Sequence, residues 1–118
     1  MNFTVPANIR ATARKAIKYN LSLSMSKRAA YKQEGNKRVQ GTGMQTAKKL
    51  VSGTVNSAQI IKMFAWFARH GESPKEKQAR RDRTSKASIA WALWGGSAGR
   101  RWVNFNYKKI KKQEKENK

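Results

Sequence analysis

The sequence predicts an all-α fold: a small bundle of four to five short helices with a basic loop and a basic C-terminal tail. Apolar residues recur at helical spacing in several segments, and no segment alternates between apolar and polar residues over the length of a strand. Glycines follow several of the helical patterns. We expect one domain over residues 1–107, with flexible basic segments at about 21–43 and 72–85, and a basic tail over 108–118.

The first predicted helix begins near Pro6, because proline is tolerated in a first helical turn, and it runs to about Tyr19. Its apolar positions recur at helical spacing with basic residues between them. Residues 21–43 follow no clean period. We therefore expect a basic loop there, with one helical turn near residues 28–32.

A second helix is expected to open at Thr42 or Gly43 and to end before Gly53, a suitable C′ residue. A third helix is expected to follow a cap at Asn56 or Ser57. It has the strongest apolar face in the chain, which predicts that it packs in the core.

Gly71 is expected to end the third helix, and residues 72–85 are polar enough to predict a flexible connection. Ser85 or Ser88 can cap a fourth helix, which the pair Gly95-Gly96 breaks. This pair predicts a tight corner before a last helix.

The last predicted helix spans residue 98 to about residue 110, and three glycines lie within five residues at its start. The segment matches neither a P-loop nor a dinucleotide fingerprint. A structural corner is one interpretation. The other is a phosphate contact at residues 97–101, because a helix N-terminus attracts anions and two arginines lie in this first turn.

Charge gives the main functional indication. The chain of 118 residues holds 27 Lys+Arg against 6 Asp+Glu, a net charge of +21, and Glu34 is the only carboxylate before Glu72. Such a domain repels itself unless an external polyanion neutralises it, and nucleic acid is the polyanion expected for a basic domain. We expect contacts to the phosphate backbone with little sequence preference, and DNA rather than RNA. The candidate binding residues are Arg10, Arg14, Lys18, Lys27, Arg28, Lys48, Lys49, Arg100, Arg101, Lys108, Lys109, Lys111 and Lys112.

The aromatic residues allow two interpretations. Phe64, Phe67, Trp91, Trp94 and Trp102 lie on predicted helices, where they could stack on unpaired bases. Core packing is the favoured interpretation, because a domain this small needs its bulky side chains inside.

The two helices around residues 52–56 resemble a helix-turn-helix. The second helix would read bases, yet it carries only Lys62 and Arg69 on an otherwise apolar sequence. We therefore expect a core helix rather than sequence-specific recognition.

No catalytic constellation is evident, and we expect no enzyme, no cofactor and no metal. His70 is the only histidine, cysteine is absent, and the six carboxylates are scattered. A nuclease normally needs clustered carboxylates or histidines for its metal or its general base. No apolar run approaches the length of a membrane span, and the N-terminus lacks a signal-peptide pattern, so we expect neither secretion nor a membrane partner.

Three segments together resemble a small basic domain of tailed bacteriophages, including cyanophages: residues 5–16, residues 62–70 and the IAWALWGGSAGRRW motif at 89–102. The family pattern usually has an acidic residue where this chain has Ser97. The resemblance implies a phage-encoded protein, sometimes found with head-morphogenesis genes, and it implies no site residues. The expected location is the cytoplasm of the infected bacterium or the virion interior.

Two other functions remain open. A head-associated virion protein would use its charge on packaged DNA or on an acidic capsid or portal surface. An infection-stage protein would dock on an acidic face of a host or phage enzyme such as RNA polymerase.

Overall fold

The computed structural model describes residues 1–117, which form six α-helices, four short β-strands and a 3₁₀ turn at Met25–Lys27. The helices are α1 Ala7–Ser22, α2 Thr42–Val51, α3 Ser57–Gly71, α4 Pro74–Ala79, α5 Lys86–Leu93 and α6 Gly96–Glu116. The strands are β1 Asn2–Thr4, β2 Tyr31–Glu34, β3 Lys37–Gln40 and β4 Thr54–Asn56. The fold is thus mostly helical, and the prediction of a strictly all-α class is wrong because of two small sheets.

The first sheet joins the N-terminus to the turn between α2 and α3. Strand β1 pairs antiparallel with β4, and Phe3 lies opposite Val55. Both side chains are buried. Each strand has only three residues, too few to show an alternating pattern, so this sheet left no periodic signal in the sequence.

The second sheet is the hairpin β2–β3, within the segment 21–43 that was predicted as a basic loop. Glu34 lies opposite Lys37, and Gly35 opens the two-residue turn with a φ of +60°. A glycine at the first central position is typical of a type II′ hairpin turn. The same segment also contains the end of α1 and the 3₁₀ turn rather than a helical turn at 28–32.

Two further segments hold more helix than predicted. The short helix α4 lies within residues 72–85, where the Ser73 hydroxyl accepts from the Glu76 N–H at 3.3 Å and Pro74 opens the first turn. Helix α6 continues to Glu116, through most of the predicted tail at 108–118, and buries Ile110. Lys118 lies outside the described residues.

Several predicted helix ends are confirmed at the level of single hydrogen bonds. Asn56 caps α3 by accepting from the Gln59 N–H at 2.9 Å, and Ser85 caps α5 by accepting from the Ser88 N–H at 3.1 Å. The corner between α5 and α6 places Gly95 at a φ of +107° and the next residue at +70°. A side chain would be strained at both positions.

The core lies where α1 packs on α2 and α5, and where α3 packs on α6. Phe67 and Trp94 are buried, and Trp66 stacks on Trp94 with ring centroids 4.5 Å apart. Phe64 stacks on Tyr107 across the α3–α6 contact at 3.7 Å. These aromatic residues therefore pack against the core, as the favoured interpretation of the sequence expected.

Candidate nucleic-acid interface

Most cationic side chains have no internal counterion. Although the chain holds 27 lysines and arginines, only Lys77, Arg100 and Lys111 lie within 4.0 Å of a carboxylate among residues 1–117. The charges of the remaining cations are thus not neutralised by a carboxylate of residues 1–117, although some of these side chains have other internal partners.

Four unpaired lysines surround Tyr19 at the C-terminal end of α1. Two hollows, of about 480 Å³ and 400 Å³, share Tyr19 in their walls. Lys27 and Lys86 line the first, and Lys15 and Lys18 line the second. We call these five residues the Tyr19 surface. Tyr19 lies at the centre of this surface and is 40% exposed.

Helix periodicity produces one half of the Tyr19 surface. Lys15, Lys18 and Tyr19 share one face of α1, since residues three and four apart are neighbours on a helix. The opposite face buries Ala13 and Ala16 in the core. Burial of that face holds the two lysines and the tyrosine toward solvent.

Tertiary contacts build the other half, because they hold the segment after α1 in place. Asn20 is fully buried, where its amide donates to the Ala29 carbonyl at 3.0 Å and accepts from the Ala29 N–H at 2.9 Å. This clamp fixes the path of the chain around the 3₁₀ turn that carries Lys27. Lys86, the last of the four lysines, lies in the first turn of α5.

Arg28, one of the predicted binding residues, is instead engaged within the fold. Its guanidinium donates to the Leu21 carbonyl at 2.9 Å and to the Leu23 carbonyl at 3.0 Å. It also lies over the Tyr31 ring, with the guanidinium carbon 5.5 Å from the ring centroid. Carbonyls at a helix C-terminus lack intrahelical donors, so Arg28 stabilises the end of α1.

The structure brings three other predicted residues to the end of α2. Arg10 lies against Gly53, and the exposed Lys48 and Lys49 occupy the last turn of the helix. Lys48 donates to Gln40 on β3, and Lys49 donates to Gln59 on α3 at 3.3 Å. These two lysines also complement the negative end of the helix dipole. Arg14 is exposed on α1.

In the predicted phosphate site at residues 97–101, two of the residues have hydrogen-bond partners within the protein. Arg100 donates to the Glu72 carboxylate at 2.8 Å, so an internal anion already occupies it. The Ser97 hydroxyl accepts from the Trp91 indole at 3.2 Å. Arg101 alone remains exposed and unpaired there within the described residues.

Besides the Tyr19 surface, an exposed basic stripe runs along α6. Arg101, Phe105, Lys108 and Lys112 are exposed along one side of the helix, and the Phe105 side chain is 59% exposed. Lys109 lies over the Phe105 ring, with its ammonium 4.6 Å from the centroid. Nearby, Lys111 pairs with Glu114 at 3.3 Å and lies 5.4 Å from the Tyr107 ring centroid. The Tyr19 surface and this stripe therefore both combine cations with an aromatic ring.

Two carboxyl groups have lowered pKa values. The hydrogen bond from Arg100 lowers the pKa of Glu72 below 4.5, and the charges of Lys77 and Arg100 add to the effect. Hydrogen bonds from the Thr84 hydroxyl and N–H lower the pKa of Asp82 below 3.8. Both carboxyl groups therefore stay ionised to a lower pH than they would without these partners.

The only histidine of the chain contacts a carboxylate of the next helix. His70 Nδ1 lies 2.7 Å from the Glu76 carboxylate, which joins α3 to α4. No group of three or more His, Asp or Glu side chains within residues 1–117 could hold a metal ion. The helix-turn-helix interpretation does not fit this segment, because strand β4 occupies the turn between α2 and α3. In addition, α3 buries Ile60, Met63 and Phe67 in the core, as expected for a core helix.

Sequence reasoning missed part of the Tyr19 surface. Tyr19 was assigned only as a helix end, although its position four residues after Lys15 was a readable signal of a shared helix face. Lys86 left no such signal, because its approach to Lys27 depends on how α5 packs against α1.

Comparison with known proteins finds no family model, no curated protein and no solved structure that matches this chain. None of the helices in residues 1–117 combines the length and the apolar character that crossing a bilayer requires.

Proposed function

We propose that this chain is a phage-encoded protein that binds DNA through the phosphate backbone, with little sequence preference. The observation that carries the proposal is the Tyr19 surface: four lysines with no carboxylate within 4.0 Å among residues 1–117, around an exposed aromatic ring. Lysine ammonium groups neutralise phosphates without reading bases, and an aromatic face can stack on any base.

The net charge of +21 supports the same proposal, because release of condensed counterions drives the association of basic proteins with nucleic acid. The exposed stripe on α6 extends the basic area. The resemblance of three sequence segments to a phage domain supports the proposed origin, with action in the infected cell or inside the virion.

The test is a fluorescence-anisotropy titration of the purified protein against random-sequence duplex DNA, single-stranded DNA and RNA over a series of salt concentrations. We expect a steep loss of affinity with salt and similar affinities for unrelated sequences, with DNA bound more tightly than RNA. An affinity that does not fall with salt, or no measurable binding to DNA near 0.1 M salt, would contradict the proposal.

A second candidate function is docking on an acidic protein surface, in the virion head or on an enzyme. The exposed Phe105 between Arg101 and Lys108 favours it, since an aromatic anchor beside cations is typical of protein interfaces. Co-purification of an acidic partner that survives nuclease treatment, and that is lost in the Phe105→Ala variant, would support this function.

A further inference from the structure

A cleft of about 450 Å³ opens between the N-terminus of α2 and the helices α3, α4 and α5. This volume lies within the range of small-molecule sites, which is roughly 300–1,000 Å³. The cleft shares no lining residue with the Tyr19 surface or with the exposed stripe on α6. The cleft is therefore a separate candidate site.

Two cations from α3 line the cleft without a counterion. Lys62 and Arg69 lie two helical turns apart, and neither has a carboxylate within 4.0 Å in the described part of the chain. Glu76 is the only carboxylate in the lining, and it lies 2.7 Å from His70 Nδ1. The cleft therefore has a net positive lining.

A buried donor also faces this cleft. Trp94 is only 3% exposed, lines the cleft and stacks on Trp66. Its indole N–H donates to no other group of residues 1–117, whereas every fully enclosed side-chain N or O atom there has a hydrogen-bond partner. The indole nitrogen must therefore keep contact with solvent, and the cleft is where Trp94 reaches it.

Gly43 keeps the approach to this donor open. A Cβ at position 43 would lie 3.3 Å from the Trp94 indole nitrogen and 2.7 Å from the Ala30 Cβ. Gly43 also lies in the first turn of α2, a helix of ten residues that has no side-chain cap. The N–H groups of such a turn lack intrahelical acceptors and add partial positive charge at the cleft.

We propose that this cleft binds a phosphate monoester of nucleotide size, either the terminal phosphate of a nucleic-acid strand or a free mononucleotide. Lys62 and Arg69 supply the charge that recognises the phosphate, and the Trp94 indole donates a hydrogen bond to one of its oxygens. Arginine and lysine with neutral N–H donors are the groups that proteins commonly use for phosphate. The site does not depend on the Tyr19 surface.

The test is ¹⁵N NMR of the full chain, followed at the Trp94 indole cross-peak. The ligands are adenosine 5′-monophosphate with adenosine as its control, and a 5′-phosphorylated oligonucleotide with its 5′-hydroxyl counterpart. We expect saturable movement of the Trp94 cross-peak with a phosphorylated ligand and none with its control. Movement with the oligonucleotide alone identifies a strand end, and movement with the mononucleotide identifies a free nucleotide. Equal movement with phosphorylated and control ligands, or no movement at all, overturns the proposal.

Affinity measurements keep this site distinct from backbone binding. Lys62→Gln and Arg69→Gln should each reduce the preference for the phosphorylated ligand over its control by about tenfold, the loss of one charge-assisted hydrogen bond. Lys37→Gln and Arg83→Gln remove exposed charges that do not line the cleft, and should leave that preference unchanged. An unchanged preference in both cleft variants would contradict the assignment, even if all the proteins still bind DNA.

Discussion

Arg100, one turn into α6, donates a 2.8 Å hydrogen bond to the carboxylate of Glu72, which follows the end of α3. The pair joins two helices that also pack through the Phe64–Tyr107 stack. The arginine that sequence reasoning assigned to an external phosphate is therefore held by a carboxylate of its own chain.

Glu72→Gln should reduce stability at neutral pH and have no effect in strong acid. The pKa of Glu72 is lowered in the folded protein, so its contribution is present above the unfolded value near 4.5 and is lost as the pH falls through the lowered pKa. Urea unfolding of both proteins as a function of pH measures the difference. Glu34→Gln, which removes an exposed carboxylate outside any ion pair of residues 1–117, is the control. A difference that persists unchanged at low pH would exclude this ionisation as its cause.

Gly95→Ala should destabilise the protein by about 1–3 kcal/mol, the usual cost of a strained backbone conformation. Gly95 has a φ of +107°, and a Cβ there would lie 3.1 Å from Ile9 and 3.2 Å from Gly99. Gly35→Ala is the matched control, because it also places a side chain at a positive φ, of +60°, but has nothing within 4 Å of the added carbon and should lose only the cost of the backbone strain. Thermal unfolding compares the two, and a loss for Gly95→Ala no larger than that for Gly35→Ala would mean that the close contacts with Ile9 and Gly99 add nothing to the strain.

Asn20→Ala should cost roughly 2–4 kcal/mol, because it leaves a buried N–H and a buried carbonyl of Ala29 without their partners. The exposed Asn8→Ala on the same helix should cost less than about 0.5 kcal/mol. Chemical denaturation measures both values. A loss for Asn20→Ala as small as that of the control would show that water replaces the clamp.

Replacing all four lysines of the Tyr19 surface by glutamine should lower the slope of log affinity against log salt on duplex DNA. Each phosphate that the variant no longer neutralises reduces the slope by about 0.9. The control removes the same charge from exposed positions outside the Tyr19 surface, at Lys32, Lys37, Lys75 and Lys115. Equal changes in both variants would mean that only net charge matters and that the Tyr19 surface is not a site.

Tyr19→Ala should weaken binding to single-stranded DNA more than binding to duplex DNA. An aromatic ring stacked on an unpaired base contributes about 1–3 kcal/mol, and duplex bases are already stacked on each other. Tyr19→Phe keeps the ring and should bind as the wild type does. Fluorescence anisotropy with both DNA forms provides the measurement, and equal losses on the two forms would exclude stacking by Tyr19.

Local sequence signals predicted the starts of α3 and α5. Asn56 and Ser85 cap helices because their side chains accept backbone hydrogen bonds within three residues, which needs no distant partner. Two other local signals were present but were not used: the Gly35 turn of the hairpin, and Ser73 with Pro74 at the start of α4.

The sequence by itself determined the helical segments, the glycine corner and the excess of positive charge, because these depend on neighbouring residues or on composition. Only the tertiary structure decided which cations remain available. Arg28 and Arg100 are engaged by groups 7 and 28 residues away, whereas Lys27 and Lys86 meet at one surface. The pairing of β1 with β4 was also decided there, since it joins residues 50 to 54 positions apart. Such contacts depend on how helices and strands pack, and packing has no local pattern in the sequence.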